Sequence, residues 1–159
     1  YQLGSTFTVT IPEKIAPSPS LPLEKQDQTP KMKKIKKILI VDDNRLNIKV
    51  AKKLLQDLPL EIDECYDGVE CLNQLKEKHY DMILMDIMMP KLDGVKTLQC
   101  LKQKDSFNTP VIALTADAIM GSQEKYLKIG FTNYLAKPYT KDQLQEVITT
   151  TLNKQRGQE

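Results

Sequence analysis

Asp42 and Asp43 stand side by side after the apolar run 38–41, Asp86 follows "MILM", Thr115 follows "VIAL", and Lys137 follows "NYLA". Two like charges at the end of a buried strand repel each other, so a cation or a hydrogen-bonded cap belongs beside them. Three acids brought together suit a hard divalent cation with oxygen ligands, and Mg²⁺ prefers a few carboxylates, a backbone carbonyl and retained water. Asp86 emerges alone after its strand, where a carboxylate can both ligate the metal and attack phosphorus to form an acyl phosphate. Charge on the transferring group then needs neutralising, which suits the metal, the Lys137 ammonium and the Thr115 hydroxyl. Taken singly, each residue reads as a turn former, a helix cap or a loop charge. The right groups at four separate strand ends point instead to phosphoryl transfer onto Asp86.

The elements that must position these groups are legible as alternating patterns. "KILIVDD" opens the series as an apolar strand. Leu46 to Leu58 has helical spacing, a short strand runs from Glu61 to Cys65, and helical spacing returns at Val69, Leu72 and Leu75 with Asp67 placed to cap it. "MILM" is a third strand, and Val95, Leu98 and Leu101 mark a third helix. "VIAL" is a fourth strand, and Ala118 to Ile129 a fourth helix ended by Gly130. "NYLA" is a weak fifth strand, and Leu144, Val147, Ile148 and Leu152 give the last helix. Five strand-helix units with short continuous apolar strands predict an α/β fold, a parallel sheet with helices on both faces. Ligand chemistry in such sheets gathers at the carboxyl ends of the strands.

The rest of the chain reads differently. Residues 1–16 contain "GSTFTVTIP", where Phe7, Val9 and Ile11 alternate with threonines as in a half-buried strand that has no neighbour in sequence. Residues 17–34 are rich in proline and lysine and read as an extended linker. Residues 35–154 hold the strand-helix series and 155–159 a tail. Of 23 Lys+Arg and 21 Asp+Glu, 7 and 3 lie before Ile38, which leaves 16 against 18 and a net charge of −2. A nucleic-acid surface on the main domain is therefore not expected. Cys65, Cys71 and Cys100 form no CxxC pair, so reduced thiols in a cytoplasmic protein are expected rather than a disulfide or zinc framework. No apolar run reaches the length of a membrane helix, and membrane contact is not expected. His79, the single histidine, falls in the loop before the third strand, away from the crevice, and reads as a solvated loop residue.

"ILIVDDN", "LMDIMMPKLDG", "VIALTA" and "GFTNYLAKP" resemble the receiver domains of two-component signalling, over roughly residues 36 to 154. The resemblance implies a flavodoxin-like (βα)5 fold with strand order 2-1-3-4-5. It implies Asp86 as phosphoacceptor, Asp42 and Asp43 as the acidic pair around Mg²⁺, and the backbone carbonyl of Met88 as a further ligand. Thr115 and Lys137 would engage the phosphoryl group, with Thr115 and Tyr134 forming the conformational switch. Lys137-Pro138 matches the family's cis peptide. Met88 and Asp117 occupy positions that tune loss of the phosphoryl group, and the apolar Met88 implies slow loss. "GSTFTVTIP" resembles the final strand of a histidine-kinase ATP-binding domain, and "DDNRLN", with Asn47 after Asn44, is similar to receivers of hybrid kinases. The implied whole is the C-terminal piece of a hybrid sensor kinase cut inside its catalytic domain, without the motifs for binding ATP. Its expected partners are a histidine-kinase phosphodonor, in its own parent chain or a sister chain, and a histidine-phosphotransfer protein, with a homodimer as a further possibility.

Two other classes fit part of the pattern. An aspartyl-phosphate hydrolase of similar core generally puts its nucleophile and a second acid two residues apart on the first strand, and Asn44 stands at that place after Asp42. A receiver-like interaction module that is never phosphorylated is expected to lack Asp86, Thr115 or Lys137, and all three are present. A transcription factor is not expected, since no recognition helix follows "KQRGQE".

Overall fold

A computed structural model of the chain describes residues 34–157. The N-terminal strand signal, and all of the linker but its last residue, lie outside the described residues. Strands β1 (Lys36–Val41), β2 (Leu60–Cys65), β3 (Met82–Asp86), β4 (Val111–Thr115) and β5 (Asn133–Ala136) alternate with helices α1 (Arg45–Leu54), α2 (Gly68–Glu77), α3 (Gly94–Lys102), α4 (Ser122–Ile129) and α5 (Lys141–Arg156). Every strand pair is parallel and the sheet order is β2-β1-β3-β4-β5. The α/β parallel sheet expected from the strand pattern, and the flavodoxin-like strand order that the resemblance implies, are the ones present.

The period-two alternation of each strand sorts its side chains onto two faces. Ile38, Ile40, Leu84, Ile112 and Leu114 pack with Ile48, Ala51 and Leu55 of α1 and with Leu144 and Ile148 of α5. Leu39, Val41, Ile83, Met85 and Ala113 pack on the opposite side with Cys71 of α2, Leu98 and Leu101 of α3 and Tyr126 of α4. β3 lies between β1 and β4 and is buried along its whole length, so removal of Ile83, Leu84 and Met85 from water is worth about 1.5–3 kcal/mol each. Cys65, Cys71 and Cys100 are unpaired thiols. No helix of the described residues is long and apolar enough to cross a membrane.

Each turn leaving the carboxyl end of a strand is closed by a side-chain cap. Asn44 accepts from the Leu46 N–H, Asp67 from Glu70, Asp93 from Lys96, and Thr140 from Gln143, the last within a full capping box. α4 is the exception and begins at Ser122, four residues later than the spacing from Ala118 predicts. The residues before it form a turn braced by side chains: Asp117 N–H donates to Thr115 Oγ1 and Ile119 N–H to Asp117 Oδ1. Gly121, at φ +97°, then places a left-handed residue where a continuing helix needs a right-handed one. α5 runs on to Arg156, two residues into the stretch read as tail.

Gly94 opens α3 against the end of β3. A Cβ there would lie 2.4 Å from the Asp86 carbonyl oxygen and 3.0 Å from Ile87 Cα, and its own N–H donates to the Ile87 carbonyl at 3.0 Å. Backbone on both sides has no rotamer by which to yield. Gly94→Ala is therefore expected to destabilise the fold by about 3 kcal/mol, read as a lower urea midpoint at unchanged slope. A loss under about 0.5 kcal/mol, the range of an inconsequential surface change, contradicts this close approach.

Candidate functional site

The carboxyl ends of β1, β3, β4 and β5 deliver their polar residues to one crevice. Asp42 extends β1 by one residue, its N–H donating to the Cys65 carbonyl, and its side chain is almost wholly buried. Three donors hold that carboxylate: the Asn44 N–H at 2.8 Å, Asn47 Nδ2 at 3.3 Å and Lys137 Nζ at 3.0 Å. Asp43, next in the chain, is exposed. Asp86 closes β3 and is 6% exposed, with Lys137 Nζ 3.2 Å from its Oδ1 and the Met88 N–H donating to the same oxygen at 3.4 Å. One carboxylate oxygen from each of Asp42, Asp43 and Asp86 lies within 4.8 Å of the others.

This geometry is electrostatically incomplete. One ammonium facing three acids leaves a formal −2, the charge a divalent cation neutralises. Burial pushes the Asp86 carboxyl above its ordinary range, Lys137 opposes that, and the neighbouring Asp42 charge adds to it. Burial alone would lower Lys137, yet its bonds to Asp42 and Asp86 hold it above the usual lysine value, so it stays charged. Asp42, Asp43 and Asp86 together offer the clustered, oxygen-only donor set that a hard divalent cation takes, and these three would hold it.

Thr115 ends β4, buried, with Oγ1 accepting from the Asp117 N–H at 3.0 Å. In register, Ala113 pairs with Tyr134 and Thr115 with Ala136, so Tyr134 and Thr115 share a sheet face one pleat apart on adjacent strands. Tyr134 is half-buried there against the α2–α4 side of the core. The Lys137-Pro138 peptide is cis, as the motif implied. The Met88 side chain is 74% exposed, and the Asp117 carboxylate is engaged by the Ile119 N–H in the loop after β4. His79 is exposed in the loop before β3, at the other end of the sheet.

Residues 38–149 match the family model described as the response regulator receiver domain. The chain belongs to that family. Its receiver is 38% identical over 112 residues to the signal transduction histidine-protein kinase BarA of Escherichia coli K12, covering 70% of this chain and 12% of that protein. It is 35% identical over 142 residues to the sensor protein EvgS of the same organism, covering 89% of this chain and 12% of that protein. The chain thus spans about an eighth of the length of these relatives. Among solved structures it is similar to the receiver domain of the sensor histidine kinase PA1611 of Pseudomonas aeruginosa, described with a magnesium ion coordinated in the active-site cleft: 32% identity, TM-score 0.68, covering 75% of this chain and 98% of that one. Family membership decides for a two-component phosphorelay receiver over a hydrolase of similar core.

Two residues of this receiver's site escape a reading of strand ends. Asn47 sits one turn into α1 and orients Asp42; its signal is the spacing of three from the cap residue Asn44, which turns it back toward the end of β1. Tyr126 of α4 hydrogen-bonds Thr115 Oγ1 through its hydroxyl at 3.1 Å. Nothing in the local pattern distinguishes it from an ordinary core tyrosine.

Proposed function

We propose that this receiver takes a phosphoryl group onto Asp86, with Mg²⁺ held by Asp42, Asp43, Asp86 and the Met88 carbonyl. The observation that carries the reading is the buried Asp86 carboxylate, 3.2 Å from an ammonium that is itself tied to Asp42, in a cluster of three acids one divalent cation would balance. Asp86 attacks phosphorus in line with the leaving group, which departs with the bonding electron pair. Lys137 and Thr115 meet the charge on the phosphoryl oxygens, and the cation supplies further positive charge beside them. Receiver domains of hybrid kinases take phosphate from histidine-containing partners. The donor here is a phosphohistidine of a histidine kinase, in the parent chain or a sister chain, and the next acceptor a histidine-phosphotransfer protein. Similarity to BarA, EvgS and the receiver of PA1611 supports this assignment.

On this reading residues 35–154 are the receiver, 17–34 a linker and 1–16 the last strand of a kinase ATP-binding domain, in a cytoplasmic part of a hybrid kinase. Phosphorylation draws Thr115 toward Asp86 and lets Tyr134 turn inward, biasing the α4–β5 face and, through it, partner choice or dimerisation. The test is intact mass after incubation with acetyl phosphate and Mg²⁺. One phosphoryl group should add, and chelating the metal should prevent it; no adduct in the presence of Mg²⁺ overturns the proposal. Exposed and apolar, Met88 has no group with which to orient an attacking water, and one oxygen of Asp117 is held by the Ile119 N–H of its own loop. Slow self-dephosphorylation is therefore expected. A half-life of seconds in Mg²⁺, measured by phosphate release, contradicts this role for Met88.

A further inference from the structure

Tyr126 is 3% exposed and Thr115 2% exposed, and their hydroxyl oxygens stand 3.1 Å apart. The ring of Tyr126 is fixed edge-on against Phe131, with centroids 6.0 Å apart, within the apolar cluster that includes Ala113, Leu98 and Leu101. A buried tyrosine hydroxyl needs a protein partner. Thr115 Oγ1 accepts from the Asp117 N–H, and in its contact with Tyr126 either hydroxyl can be the donor. A phosphoryl oxygen on Asp86 would draw the Thr115 hydroxyl away from that contact. When Thr115 turns toward it, the Tyr126 hydroxyl is left without its partner among apolar side chains, and that desolvated group carries a cost.

We infer that Tyr126 is a positioning residue that holds Thr115 in its unphosphorylated placement and opposes the switch. The inference rests on the reading above, in which Thr115 engages the phosphoryl group. Tyr126 touches none of the three acids and acts only through Thr115. Replacing its hydroxyl while keeping the ring removes the opposing bond, and Thr115 Oγ1 still accepts from the Asp117 N–H.

The test uses the full 159-residue chain, saturating Mg²⁺, and beryllofluoride as a stable mimic of the phosphoryl group. Its dissociation constant is measured by amide NMR shifts for wild type, Tyr126→Phe, Thr115→Val and the double variant. Tyr126→Phe is expected to bind about five-fold more tightly, the size of one net hydrogen bond no longer broken. In the Thr115→Val background the same change should have no effect, since the two residues act as a coupled pair. In wild type the Tyr126 ring ¹³Cζ signal, which reports hydrogen bonding at the hydroxyl, should shift as beryllofluoride saturates.

Unchanged or weaker binding by a folded Tyr126→Phe overturns the inference, as does an equal effect in the Thr115→Val background. An unmoved ¹³Cζ signal overturns it even if the variant does not fold. If wild type and Asp86→Ala bind beryllofluoride alike, the phosphoacceptor reading itself fails and takes this inference with it.

Discussion

Asp86→Ala is expected to take up no phosphoryl group from acetyl phosphate in Mg²⁺, under conditions where the wild-type chain gains one. Asp42 is a poor substitute nucleophile because its carboxylate is already committed to the Asn44 N–H, Asn47 and Lys137. Asp43 sits in solvent, without the Lys137 contact that Asp86 has. The variant should also fold. Removing Asp86 takes away a buried acid whose carboxyl burial has pushed upward, and Lys137 keeps its bond to Asp42. Its urea midpoint is expected at or above that of wild type, so loss of the adduct will report chemistry rather than unfolding. An adduct of undiminished yield on the variant, located by peptide mapping to Asp42 or Asp43, would move the acceptor and sink the assignment.

Lys137→Ala should have the next largest effect, on two measurements of different origin. The ammonium bridges Asp42 and Asp86 at 3.0 and 3.2 Å and would meet the charge that develops on the phosphoryl oxygens. Losing one such preorganised group costs roughly 10²–10³ in rate, by the scale of single oxyanion-type donors. Phosphoryl uptake from a small-molecule donor should slow by that order while the final adduct stays on Asp86. Stability should fall as well, by about 3 kcal/mol without divalent cation, because two buried acids are then left facing each other without their cation. Saturating Mg²⁺ should shrink this loss, since an ion that binds the folded acidic cluster supplies part of the missing charge. Uptake at the wild-type rate contradicts the role given to Lys137. A stability loss that Mg²⁺ leaves unchanged contradicts the placing of the cation among these acids.

The sheet and the residues at its rim are written into the local pattern of the chain. Runs such as "ILIV", "MILM" and "VIAL" are too short and too continuously apolar for anything but buried parallel strands, and the first polar residue after a strand must emerge at the carboxyl edge whichever helix follows. Asp42, Asp86, Thr115 and Lys137 are therefore legible in the sequence as one strand-end cluster, and each stands at the carboxyl edge of the sheet. Contacts that depend on how one element docks on another come instead from the three-dimensional packing. The start of α4 lies at Ser122 because Gly121 takes a left-handed φ of +97° just before it, after a turn braced by Thr115 Oγ1 and Asp117 Oδ1. The bond between Tyr126 and Thr115 follows from that displaced helix and from the packing of Tyr126 on Phe131. Periodicity states which face of a helix is buried. It does not state which buried hydroxyl will meet which, because that is set by the docking of rigid elements in three dimensions and by the requirement that every polar group taken out of water find a partner.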